Sequence, residues 1–181
     1  MPDVIKLIDT ICSVYDNPDY APVYNNGILV KTFCNFATNA IAVAMGCDDL
    51  YDTTTKLPKT ADEIADLLAQ SKDWIELHVS DDPQKMPIDF QAIQLWANKG
   101  ELVFAVLKST DLKQEHGHIC VVRPGLLKSS GKWGDCPAVM NIGGENFIAL
   151  GKSGVMKGRP VGVNEAFQPI PKFYVWNKVS A

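Results

Sequence analysis

The chain has 181 residues, enough for one domain with a sizeable core and cramped for two. With 46% apolar and 21% charged residues, a net charge of -4 and a pI near 5.3, it has an ordinary globular composition and no basic stripe for nucleic acid. No apolar run approaches the roughly 20 residues that a membrane-spanning helix needs. The five cysteines, Cys12, Cys34, Cys47, Cys120 and Cys136, are irregularly spaced and form no C-x-x-C pair. That argues against a structural zinc site and a disulfide scaffold, and the odd count leaves at least one thiol outside any disulfide.

Residues 3–15 are predicted as an amphipathic helix with Val4, Ile5, Ile8, Ile11 and Cys12 on one face. The segment lacks the basic start, apolar middle and small-residue cleavage site of a secretory signal, so no standard signal peptide is visible in it. Residues 16–33, rich in Asp, Asn, Pro and Tyr, read as a loop. Residues 34–45 read as a helix apolar almost all round, hence buried, with Gly46 placed to end it. Thr60 and Glu63 form a capping box at the start of a helix over 60–71. A short extended piece is expected over 74–79, and a helix over 88–98 between Pro87 and Gly100.

The second half changes character. Residues 101–107, 117–123, 137–142, 145–150 and 172–176 read as strands, and the Gly-rich stretch 151–163 as a long loop. Helices first and strands later predict an α+β domain with an antiparallel sheet, undivided over 1–181. Gly151-Lys152-Ser153 has the end of a phosphate loop, but Asn146 stands where that loop needs glycine, so nucleotide binding is rejected.

Cys34 falls where a polar loop becomes a buried helix. Main-chain N–H groups and the helix dipole at that end favour a thiolate. The competing reading is a small buried hydrophobe. His118 opens a strand after Gly117, which leaves room for a close approach. A Cys at a helix start and a His at a strand start suit a nucleophile and its base. His116 competes with His118 for that role, and the two could instead hold a metal with Glu115 or Asp111. The nucleophile–base reading is preferred and no cofactor is expected.

The segments TFCNFATNAIAVAMG, GHICVVRPG and PAVMNIGGENF resemble the papain-like peptidoglycan hydrolases, the NlpC/P60 and CHAP group with related phage and effector amidases. The likeness covers roughly residues 20–150. NlpC/P60 members carry Asp-Cys-Ser at the nucleophile, whereas Phe33-Cys34-Asn35 here is closer to the Cys-Asn variants of phage and effector amidases. The resemblance implies a papain-like fold with N-terminal helices on a central antiparallel sheet. It implies Cys34 as nucleophile, His118 as base and a polar residue on the next strand to orient the imidazole. Asn141 is the choice for that third residue, with Glu145 and Asn146 as fallbacks; a strand-end Asn capping a turn is the competing reading. The main-chain N–H of Cys34 is the natural oxyanion donor. Tyr24, Asn35 and Trp133 are the expected substrate-binding residues, with Tyr24 also a candidate for the second oxyanion donor and Trp133 for a sugar groove. Trp96 reads as core.

The substrate implied is an amide bond of bacterial peptidoglycan, cleaved in the periplasm, the cell wall or outside the cell. An effector of this kind would have an immunity protein as partner. The rival readings are a protease or acyltransferase acting on protein, and a non-catalytic binding module with Cys34 merely buried.

Overall fold

The computed structural model describes residues 3–143, 146 and 162–177. Asp3 opens helix α1 (Val4–Tyr15), its carboxylate accepting from the N–H groups of Ile5 and Lys6. The buried stripe of α1 is Leu7, Ile11, Cys12 and Val14, while Ile5 is exposed. The face is thus rotated from the sequence expectation, because Leu7, Ile11 and Val14 follow the same helical spacing and are the ones turned to the core. The segment 16–33 is not all loop. A 3-10 turn at Pro18–Tyr20 is followed by a hairpin of β1 (Val23–Asn25) and β2 (Ile28–Lys31). Its turn residues Asn26 and Gly27 have φ of 49° and 78°, the left-handed pair a two-residue hairpin turn requires.

Helix α2 (Cys34–Ala44) buries Cys34, Ala37, Thr38, Asn39, Ile41 and Ala42 against α1 and the sheet. A small ribbon of β3 (Tyr51–Asp52) and β4 (Leu57–Pro58) leads to α3 (Ala61–Gln70). There the Thr60 hydroxyl and the Glu63 carboxylate cap each other's main chain. Next come β5 (Trp74–Leu77), α4 (Met86–Asn98), β6 (Val103–Leu107), the one-turn α5 (Ser109–Leu112) and β7 (His118–Val122). A hairpin of β8 (Lys128–Ser130) and β9 (Gly134–Cys136), then β10 (Val139–Met140), α6 (Val163–Ala166) and β11 (Lys172–Trp176) complete the described elements. The expected strand over 145–150 and most of the Gly-rich stretch lie outside the described residues.

The protein is α+β. Among the described residues its central sheet has five strands in the order β10-β7-β6-β11-β5, every neighbouring pair antiparallel. Alternation along the strands splits the interior in two. Phe104, Val106, Ile119, Val121 and Tyr174 face α1, α2 and α3. Val103, Ala105, Cys120, Val122 and Phe173 face α4, α6 and the β8–β9 hairpin. Buried Gln94 of α4 ties the far end of the sheet. Its amide donates to the Arg123 carbonyl at 2.8 Å, and its oxygen accepts from the Ala138 N–H at 2.9 Å. Trp96, expected as core, is instead exposed beside Lys99, because the buried stripe of α4 runs through Phe90, Ile93, Gln94 and Ala97. No helix among the described residues is long and apolar enough to cross a membrane.

Candidate active site

Helix α2 begins without a side-chain cap, since its N-cap residue is Phe33. The first N–H groups of a helix have no intrahelical partner, so an uncapped start leaves them for another acceptor. Here the Cys34 sulfur takes that place, with the main-chain N–H groups of Asn35 and of Ile119 on β7 directed at it. The start of α2 is held from two sides. Asn35 Nδ2 donates to the Lys59 carbonyl at 2.9 Å, and the Lys31 ammonium stands 4.7 Å from the Phe33 ring centroid.

Packing of α2 on β7 brings Cys34 to His118, the first residue of that strand. The two side chains are hydrogen-bond partners. On the other side, His118 Nε2 lies 2.7 Å from Asn141 Oδ1, in the residue after β10. An amide oxygen only accepts, so Nε2 carries the hydrogen and Nδ1 is left to face the sulfur. The ring is backed by Phe167 at 5.0 Å between centroids. Cys34 is 6% exposed and Asn141 8%, so the line Cys34–His118–Asn141 is screened from water except at the mouth of the cleft.

Electrostatics follow from this geometry. Burial raises the Cys34 thiol, but the His118 hydrogen bond and charge and the two main-chain N–H groups outweigh it, and the thiol ends below its ordinary value. Burial likewise disfavours imidazolium, yet Cys34 and then Asn141 hold His118 above its ordinary value. Both shifts are in the direction that favours a thiolate–imidazolium pair. Three of the other thiols move the opposite way: burial pushes Cys47 up to about 12 and also raises Cys120 and Cys136. No disulfide joins the five cysteines, all of which are buried.

Two cavities flank the pair. One of about 540 Å³ lies beside Cys34, bordered by Leu29 to Thr32, Asn35 and Asp62. The other, about 650 Å³, lies beside His118 and Asn141, bordered by Gly143, Glu165 and Phe167. Leu29, Thr32, Glu115, His116 and Gly117 border both, so the two form arms of one cleft over the Cys34–His118 pair. Gly117 is required by crowding: a Cβ there would overlap Asp62 Oδ1 and stand 2.9 Å from the Leu107 carbonyl oxygen.

The other expected site residues are scattered. Asn35 borders the cleft, but its amide is committed to Lys59. Tyr24 stands opposite Leu29 in the β1–β2 hairpin and borders neither cavity. Trp133, expected at a sugar groove, is only 6% exposed and packs 6.3 Å from Phe90 in the core on the other face of the sheet. Gly131 and Gly134 mark a turn there, but the ring folds inward where α4 offers an aromatic surface. His116 is exposed in the cleft and is not the partner of Cys34. Asn146 accepts from the Gly143 N–H and donates to the Tyr20 carbonyl, so it anchors the chain after Asn141 rather than orienting His118. Glu145 lies outside the described residues. Among the described residues no three His, Cys, Asp or Glu side chains converge to hold a metal ion. The sequence reading missed Leu29 and Phe167, because each acquires its place beside the cleft only through tertiary packing.

No protein-family model matches the chain, and no curated protein matches it.

Proposed function

We propose that the protein is a papain-like cysteine hydrolase that cleaves an amide bond of bacterial peptidoglycan. The observation that carries the hydrolase reading is the line Cys34–His118–Asn141, with the thiol lowered and the imidazole raised at the centre of a cleft. A merely buried cysteine needs neither a base nor a carbonyl acceptor behind that base. The wall substrate rests on the resemblance of the segments around Cys34, His118 and Asn141 to the NlpC/P60 and CHAP group.

In the proposed reaction the Cys34 thiolate adds to the amide carbonyl, and the imidazolium of His118 holds the proton. The Cys34 main-chain N–H, at the uncapped start of α2, is the proposed donor to the developing oxyanion. The C–N bond breaks as His118 gives its proton to the leaving amine, leaving a thioester on Cys34. Water, deprotonated by His118, then adds to the thioester and releases the acid. Asn141 keeps the hydrogen on Nε2 throughout, so Nδ1 performs each transfer.

The test is muropeptide release from purified peptidoglycan of several wall types, read by mass spectrometry. Fragments from the wild type and none from Cys34→Ala are expected, and their masses identify the bond. No fragments from either protein would refute the cell-wall substrate and favour a protein substrate.

A further inference from the structure

We infer that the cleft holds its substrate as an extended peptide, paired main chain to main chain with Leu29 on the outer edge of β2; this rests on Cys34 being the nucleophile. The hairpin geometry sets which groups face outward. Asn26 and Gly27 are the turn residues, so Asn25 and Ile28 are the pair that exchanges hydrogen bonds. In an antiparallel pair the next rung makes none, and its main-chain groups turn away from the partner strand. That rung is Tyr24 opposite Leu29. The Leu29 N–H and C=O therefore point out of the hairpin.

The outward edge is the one along the cleft. Leu29, Val30, Lys31 and Thr32 all border the cavity beside Cys34. Side chains alternate along a strand, so consecutive residues border one cavity along the strand's edge and not along one face. Leu29 and Thr32 also border the cavity beside His118 and Asn141, so this edge passes both sides of the Cys34–His118 pair. Among the described residues β2 pairs with β1 alone, and no described strand occupies its outer edge, where a third strand would pair. Its flanks are apolar and exposed, with Ile28, Leu29 and Val30 all facing solvent.

The chemistry favours a peptide over a glycan. An outward N–H and C=O on one residue match the donor and acceptor of one peptide unit in a strand ladder. No tryptophan among the described residues borders either cavity to stack a sugar ring. The recognised part of the substrate is then a run of at least a few amino acids next to the scissile amide, read through its main chain.

The experiment uses the whole protein and thiol-directed probes, so it does not depend on knowing the natural substrate. Cys34 is first treated with iodoacetamide at neutral pH. Slow alkylation would overturn the nucleophile reading and this inference with it. A tripeptide of alanine ending in an aldehyde is then compared with the same tripeptide methylated on its inner amide nitrogens. Each forms a hemithioacetal, the sulfur bonding to the aldehyde carbon and the proton passing to its oxygen, read as protection from iodoacetamide. The expected result is about tenfold weaker protection by the methylated probe, the size of one or two neutral hydrogen bonds. Leu29→Pro, which removes the outward N–H, is expected to weaken the unmethylated probe by about the same factor, with protection read relative to the variant's own alkylation rate without probe. Leu29→Ala keeps the main chain and is expected to bind like wild type. Fast alkylation with equal protection by both probes on the wild type would overturn the main-chain pairing while leaving the nucleophile standing.

Discussion

Replacing Asn141 by Ala removes the 2.7 Å acceptor from His118 Nε2 and leaves that N–H in a site where the original side chain was only 8% exposed. A hydrogen bond to a charged group contributes about 1.5 to 3 kcal/mol. If that bond is made to the imidazolium of the reacting pair, its loss lowers kcat by about tenfold to a hundredfold. The pH profile carries the sign. Asn141 helps hold His118 above its ordinary value, so without it the alkaline limb of activity moves to lower pH. A weaker imidazolium stabilises the Cys34 thiolate less, so the acid limb moves to higher pH. The bell narrows from both sides, with apparent values that belong to the pair rather than to either residue. The assay is kcat against pH on soluble muropeptides, with iodoacetamide alkylation of Cys34 followed in parallel. Asn141→Asp keeps an acceptor and should retain much of the activity. A folded Asn141→Ala protein with less than about a twofold loss and an unchanged profile would refute the positioning role.

Brief iodoacetamide treatment near pH 7 followed by peptide mapping should label Cys34 first, because its thiol is lowered while those of Cys47, Cys120 and Cys136 are raised. Faster labelling of any of those three would contradict the thiolate assignment. Gly117→Ala forces a Cβ onto Asp62 and the Leu107 carbonyl, and should cost about 1 to 3 kcal/mol, seen as a fall in Tm, while also slowing Cys34 alkylation through a displaced His118. Gln94→Ala leaves the buried Arg123 carbonyl and Ala138 N–H unpaired and should cost roughly 2 to 5 kcal/mol in denaturant unfolding, with the alkylation rate of the folded fraction unchanged.

Long periodic or capped elements were legible in the sequence. The helix expected over 34–45 is observed at Cys34–Ala44, and the capping box of Thr60 and Glu63 forms as expected. The strands expected over 101–107, 117–123 and 172–176 are observed at Val103–Leu107, His118–Val122 and Lys172–Trp176. Those expected over 74–79 and 137–142 are shorter, at Trp74–Leu77 and Val139–Met140. The β1–β2 hairpin was hidden because both faces of it are exposed, so its apolar residues show no alternation against a core. Only the Asn26-Gly27 pair marked it. The β8–β9 hairpin was hidden for a related reason: Trp133 lies between glycines and looks exposed until α4 supplies Phe90 beneath it. In the site, a helix start at Cys34 and a strand start at His118 could be read locally. Their meeting, and the role of Leu29 at the cleft edge, depend on how α2 crosses β7, which no local pattern encodes.

The most direct test of the proposed chemistry is to trap the thioester. The protein is mixed with muropeptides, quenched in acid within the first turnovers, digested and mapped by mass spectrometry. The expected result is an acyl mass on the peptide containing Cys34, removed by neutral hydroxylamine and absent in Cys34→Ala. Undiminished release of fragments by Cys34→Ala would contradict the assignment of Cys34 as the nucleophile.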